Sequence, residues 1–158
     1  MDLRPGPIQT HLEVSYDAAV LLLYRPFLQL LLNRIDSSGA DINSISPNIT
    51  CRAQKAIDIS VKLIGVAQTR PRIDWFSLKS VIMGALLILS ASSIMGDDAL
   101  STEQVEHTLF EAIEVLSKAA KGSEAAKRAY QLVSEVKARL KVESSTSNFG
   151  DRKGGDIT

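Results

Sequence analysis

The sequence predicts an all-α fold, an irregular bundle of about five helices, and three observations carry that prediction. No stretch shows the apolar–polar alternation of a half-buried strand. Apolar residues instead recur three and four apart, the spacing of one helix face. Clusters of Gly, Pro, Ser and Asp divide the chain into five such segments, and the last is followed by the polar, Gly- and Ser-rich end VESSTSNFGDRKGGDIT. The expected domain is 1–140, with 141–158 a disordered tail.

The first helix is predicted from about Ile8 to Asn33, after the Pro5-Gly6-Pro7 start. Its centre, AAVLLLYRPFLQLLL (18–32), is almost entirely apolar, with Arg25 and Pro26 in the middle. Glu13, Asp17, Arg25, Gln29 and Asn33 fall on one series of steps of four and form a narrow polar stripe. Pro26 lacks an N–H and crowds the Leu22 carbonyl, so a kink or break is expected there. The Arg25 guanidinium is expected to serve the freed carbonyls, and Arg25→Leu would cost little in thermal unfolding if Arg25 is only solvated.

After the loop IDSSGADINSIS, Ser46-Pro47 reads as an N-cap followed by a first-turn proline. The second helix carries Ala53, Ala56, Ile57, Ser60, Leu63, Ile64 and Ala67 as its apolar or small stripe, and Arg70-Pro71-Arg72 ends it. Asp74 caps a third helix, from Trp75 to about Ile94. From Val81 to Leu89 this helix has no polar side chain, so it should be central and surrounded by the others. Ser77, Ser80, Gly84 and Ala91 would let neighbours approach closely. Ser101 with Gln104 forms a capping box for the fourth helix, which buries Val105, Leu109, Ile113 and Leu116 and exposes Glu103, Glu106, Glu111 and Lys118. Glu114 and Lys118 are placed to pair. Gly122 suits a C-terminal cap, and Ser123 starts a fifth helix with Ala126, Tyr130, Val133 and Leu140 inward.

Composition excludes several classes of function. Lys plus Arg and Asp plus Glu balance at 18 each, so no basic field exists to draw in nucleic acid. Hydrophobic content of 45% suits a globular chain, while aromatics at 5% leave the core to Leu, Ile, Val and Ala. The single cysteine, Cys51, rules out an internal disulfide and a cysteine-based zinc site, and fits a reducing compartment. The sequon Asn48-Ile49-Thr50 therefore reads as chance, and the N-terminus lacks the layout of a signal peptide. The two greasy segments, 18–32 and 81–95, read as buried helices of a soluble protein, not as membrane spans.

The sequence offers no catalytic constellation. His11 and His107 lie on different helices with no partner at metal-ligand spacing, and read as surface or cap-region residues. Cys51 reads as a small core residue, and Asp97-Asp98 as turn chemistry. Neither a phosphate-binding loop after a strand nor a nucleophile elbow is present. The expectation is no enzyme, no catalytic residue, no metal and no cofactor.

HLEVSYDAAVLLLYRPFL, CRAQKAIDISVKLI and WFSLKSVIMGALLILSA together carry a resemblance. They resemble the C-terminal half of the fungal-specific transcription factor domain, the middle homology region of regulators with a binuclear zinc cluster. The specific element is His11-Leu12 leading to Leu23-Tyr24-Arg25-Pro26-Phe27-Leu28. Cys51, with Ala53 and Ala56, and Trp75 fall where that family opens its next two helices. The resemblance spans roughly His11 to Leu140, weakly in its last part. It implies an all-helical regulatory region of a nuclear transcription factor, acting through protein or metabolite contacts. One cysteine cannot build the family's zinc cluster, so no direct DNA contact is expected from this chain. The family's upstream helices are missing, which suggests a truncated or divergent paralogue or a fragment.

The signature residues Tyr24, Arg25, Pro26, Phe27, Cys51 and Trp75 are read as structural. Five helices can cover the third but not also the first, so an exposed apolar surface is expected on the first helix, used for protein partners or self-association. The alternatives are a helical sensor for an apolar small-molecule effector, or a non-functional truncated product.

Overall fold

A computed structural model describes residues 6–70 and 74–147. Five α-helices make up the described chain: α1 (Pro7–Ser38), α2 (Pro47–Gln68), α3 (Trp75–Met95), α4 (Thr102–Ala120) and α5 (Glu124–Ser147). Single 3-10 turns, Ile42–Ser44 and Gly96–Asp98, sit in two of the connections, and no strand occurs among the described residues.

The helix boundaries follow from local chemistry. Asp74 accepts the Ser77 N–H at 2.6 Å and starts α3. Ser101 and Gln104 form the reciprocal capping box of α4. Ser123 accepts the Ala126 N–H at 3.3 Å and starts α5. Ser46 occupies the N-cap of α2, but its side chain makes no capping bond. α1 neither breaks at Pro26 nor stops at Asn33; it runs on to Ser38 and ends at Gly39, whose φ of 58° is readily reached only without a Cβ. Gly122 does not take the left-handed conformation expected of a capping glycine; its N–H bonds back to the Ala119 carbonyl at 3.1 Å. α5 continues through Ser147, seven residues into the segment expected as tail, and the rest of that tail lies outside the described residues.

The helices stack in three layers. α2 and α3 form the middle wall and supply side chains to two clusters. On one side the α4–α5 pair closes the first cluster, with Leu109, Val115, Leu116 and Val133 against Ile64, Val81 and Ile88. On the other side α1 alone closes the second, with Val14, Leu21, Leu28 and Leu31 against Ala53, Ala56, Ile57 and Leu87. The buried stripe of α2 matches the expected seven residues one for one. α3 packs against all four other helices, as a helix apolar on all sides must. Ser60 and Gly84 meet where α2 and α3 cross, so close that a Cβ on Gly84 would touch the Ser60 backbone at 3.5 Å. α4 buries Thr108, Ala112 and Val115 beside Val105, Leu109 and Leu116, while Ile113 and Glu111 are half-buried. Glu114 turns to α2, accepting from the Gln68 side chain at 3.0 Å, in place of the expected Lys118 pairing.

Register between α1 and α2 is visible in three contacts. Lys62 Nζ lies 2.7 Å from Asp17, Lys55 lies 5.3 Å from the Tyr24 ring centre, and Arg52 lies 4.7 Å from that of Phe27. As the α1 member advances from 17 to 24 to 27, the α2 member retreats by the same steps, so the helices run antiparallel. His11 within 3.5 Å of Asp74, and Arg25 against Met83, set α1 parallel to α3.

Candidate interaction surface

A helix alone in its layer can bury one face only. On α1 that face is Val14, Asp17, Ala18, Leu21, Leu28, Leu31 and Leu32. It contains one member of the polar stripe, Asp17, and a second, Arg25, lies half-buried at its edge. Asp17 is 8% exposed, and its carboxylate meets Lys62, whose ammonium stays in solvent. The hydrogen bond to Asp17 raises the Lys62 pKa; burial opposes this in part, and the charges of Asp17 and Glu13 reinforce it. Arg25 is half-buried and donates to the Met83 sulfur at 3.6 Å, a weak acceptor on α3, not to the carbonyls loosened by Pro26. Glu13, Gln29 and Asn33 are exposed.

The opposite face of α1 is apolar and open. Ile8, Leu12, Tyr16, Leu22 and Leu23 are 55–77% exposed and Leu30 40%. Ala19 and Pro26 are exposed between them. Leu12, Tyr16, Ala19, Leu23, Pro26 and Leu30 follow one another in alternating steps of four and three, the spacing of a helix–helix seam. The seam carries no charged residue, and from Ile8 to Leu30 it is roughly 33 Å long at the helical rise. Each large side chain offers roughly 60–120 Å² of apolar area, so the patch reaches about 500 Å². That is at the upper end of what a monomer leaves uncovered without a use for it. The apolar surface expected on the first helix is therefore present, and its composition is Leu-rich with one aromatic.

The signature residues divide into two groups. Tyr24 and Phe27, with ring centres 6.4 Å apart, lie along α2 beneath Lys55 and Arg52, and Arg25 faces α3. These three clamp α1 onto the middle wall, and Pro26 between them is exposed on the open face. Cys51 and Trp75 belong to neither arrangement. Cys51 is exposed near the start of α2, a correction to its expected place in the core; the inward stripe begins two residues later at Ala53. Trp75 is 63% exposed at the start of α3, beside Asp74. Burial works against the Asp74 charge, but the backbone N–H and hydroxyl of Ser77, with His11 and Arg70 nearby, outweigh it and hold the carboxyl below its ordinary pKa.

A second feature is an open cleft of about 560 Å³ lined by Ile42, Ile45, Pro47, Cys51, Gln54 and Asp98, among others. It brings Cys51 of α2 and Asp98 of the Gly96–Asp98 turn to one cleft, but its polar groups do not form a nucleophile–base pair at bonding distance. Among the described residues no three His, Cys, Asp or Glu side chains gather closely enough to hold a metal ion. By length and composition α1 and α3 could each cross a membrane; the most apolar window of α3 is 56% buried in the bundle, and that of α1 only 28%. Comparison with family models, with curated proteins and with solved structures finds no match.

Proposed function

We propose that this chain is a protein-interaction domain of a transcription regulator, acting in the nucleus and controlling transcription without touching DNA itself. The outward face of α1 carries the docking part of this reading. An apolar seam of that area, once covered, releases on the order of 10 kcal/mol of transfer free energy, before ordering costs are subtracted. The transcriptional setting is supported by the resemblance of His11-Leu12 and Leu23-Tyr24-Arg25-Pro26-Phe27-Leu28 to the fungal-specific transcription factor domain. In this chain His11, Tyr24, Arg25, Phe27 and Leu28 of that stretch hold α1 to its support, while Leu12, Leu23 and Pro26 lie on its open face.

The test is a reporter assay with the whole chain fused to an unrelated DNA-binding module. The fusion should change reporter output several-fold relative to the module alone, in either direction. Leu12→Glu with Leu23→Glu should abolish the change, because both side chains are more than half exposed and the bundle does not need them. Phe110→Glu, 60% exposed on α4, should leave it intact. A fusion indistinguishable from the bare module would overturn the proposal.

The cleft beside Cys51 favours a second reading, a sensor of an apolar small-molecule effector, since its volume falls within the range of small-ligand sites. A metabolite that raises the melting temperature, and loses that effect in Ile45→Asp, would favour it.

A further inference from the structure

The seam on α1 has a property that a general docking surface does not need: it is complementary to itself. We infer that its occupant is α1 of a second copy of this chain, laid antiparallel about a two-fold axis at the level of Leu21. The inference rests on reading this face as a docking surface, and it adds which partner docks there.

In antiparallel helix pairs the two alternating positions of the seam face each other. Centring the pair at Leu21 sets Tyr16 opposite Pro26 of the second copy, Ala19 opposite Leu23, and Leu12 opposite Leu30. Every pair then recurs on the other side of the axis, as a two-fold interface requires. Large residues meet small or compact ones at the two inner pairs, which lets the backbones approach, and two leucines close each end. The neighbouring Ile8, 77% exposed, comes alongside the exposed Arg34 of the second copy, whose aliphatic stem can cover it. Parallel pairing would instead set Ala19 against Ala19 and Pro26 against Pro26, leaving gaps at two levels.

Area and charge agree with this. About 500 Å² from each copy gives a total near 1,000 Å², the lower bound of specific interfaces. The chain is formally neutral, so two copies do not repel. The whole seam lies within one uninterrupted helix of 32 residues, which needs no ordering on association.

Sedimentation equilibrium of the full chain should show the mass doubling with concentration, and Leu23→Glu should hold it monomeric. For register, all cysteine variants carry Cys51→Ser, because the native thiol is exposed. On air oxidation, a mixture of Ala19→Cys and Leu23→Cys chains should give covalent dimers. A mixture of Leu12→Cys and Leu23→Cys chains should not. A chain that stays monomeric up to about 1 mM overturns the inference, and so does a dimer that survives Leu23→Glu. So does a monomer that binds neutral phosphatidylcholine vesicles through this face, which would make the occupant a lipid surface. A monomer whose reporter effect is still lost with Leu12→Glu and Leu23→Glu refutes self-pairing but leaves the docking proposal standing. A dimer without any reporter effect upholds self-pairing on this face and overturns the transcriptional role.

Discussion

Gly84 offers a sharp test of how closely the middle wall is built. A Cβ at this position would meet Ser60 Cβ at 3.4 Å and the Ser60 Cα and carbonyl oxygen at 3.5 Å. Those are ordinary contact distances, so a methyl fits without moving α2. Glycine inside a helix costs about 0.5–1 kcal/mol relative to alanine. Gly84→Ala should therefore stabilise the bundle by up to about 1 kcal/mol, a rise of a few degrees in melting temperature for a domain of this size. The next carbons of a larger side chain have nowhere to go, because two of the three nearest atoms belong to backbone inside a helix. Gly84→Leu should accordingly cost about 1–3 kcal/mol through overpacking. Thermal and urea unfolding followed by far-ultraviolet circular dichroism measure both. If Gly84→Ala destabilised as much as Gly84→Leu, or if leucine were tolerated, the geometry of the Ser60–Gly84 crossing would be wrong.

Four further outcomes follow from the same contacts. Lys62→Met leaves the Asp17 carboxylate buried without its partner and should cost about 1–2 kcal/mol, less than a fully enclosed pair because solvent screens the ammonium; Asp17→Asn in the same chain should recover part of the loss. Because the Lys62 pKa is raised, this difference should persist through neutral pH and vanish only as pH climbs above the ordinary lysine value of 10.5. Asp74→Ala removes the α3 cap and should cost about 1 kcal/mol at neutral pH; the folded Asp74 carboxyl lies below its ordinary 3.8, so the gap between wild type and variant should close as pH falls through that lower value, which acid-side melts would reveal. Arg25→Leu should change stability by less than about 1 kcal/mol, since the half-buried charge gives up only a contact to sulfur, and a large loss in thermal unfolding would mean that the guanidinium does hold the carbonyls near Pro26. Cys51 should react fully with a thiol reagent in the native chain, without denaturant, and protection would return it to the core.

The amino-acid order alone determined the helices and most of their ends, because caps and one-sided stripes are local. Ser101-Gln104, Asp74 and Ser123 each bind a backbone N–H within three residues, so nothing distant is needed to read them. The stripe of α2 is equally legible, since its opposite side is charged. The sequence does not place Cys51, because a small, weakly polar side chain at the edge of a stripe fits either the buried or the open side of a helix.

Tertiary structure decided which way α1 faces. Its leucines surround the helix, so hydrophobicity alone does not distinguish inside from outside. Asp17 and Arg25, residues that would ordinarily mark the solvent side, turn inward because Lys62 and Met83 wait there. That choice leaves Leu12, Tyr16, Leu23 and Leu30 in the open. The sequence by itself required some apolar surface to be left over; only the packing of α1 as a lone layer on α2 and α3 determined where, because a single helix on a two-helix wall has one side that no other part of the bundle reaches.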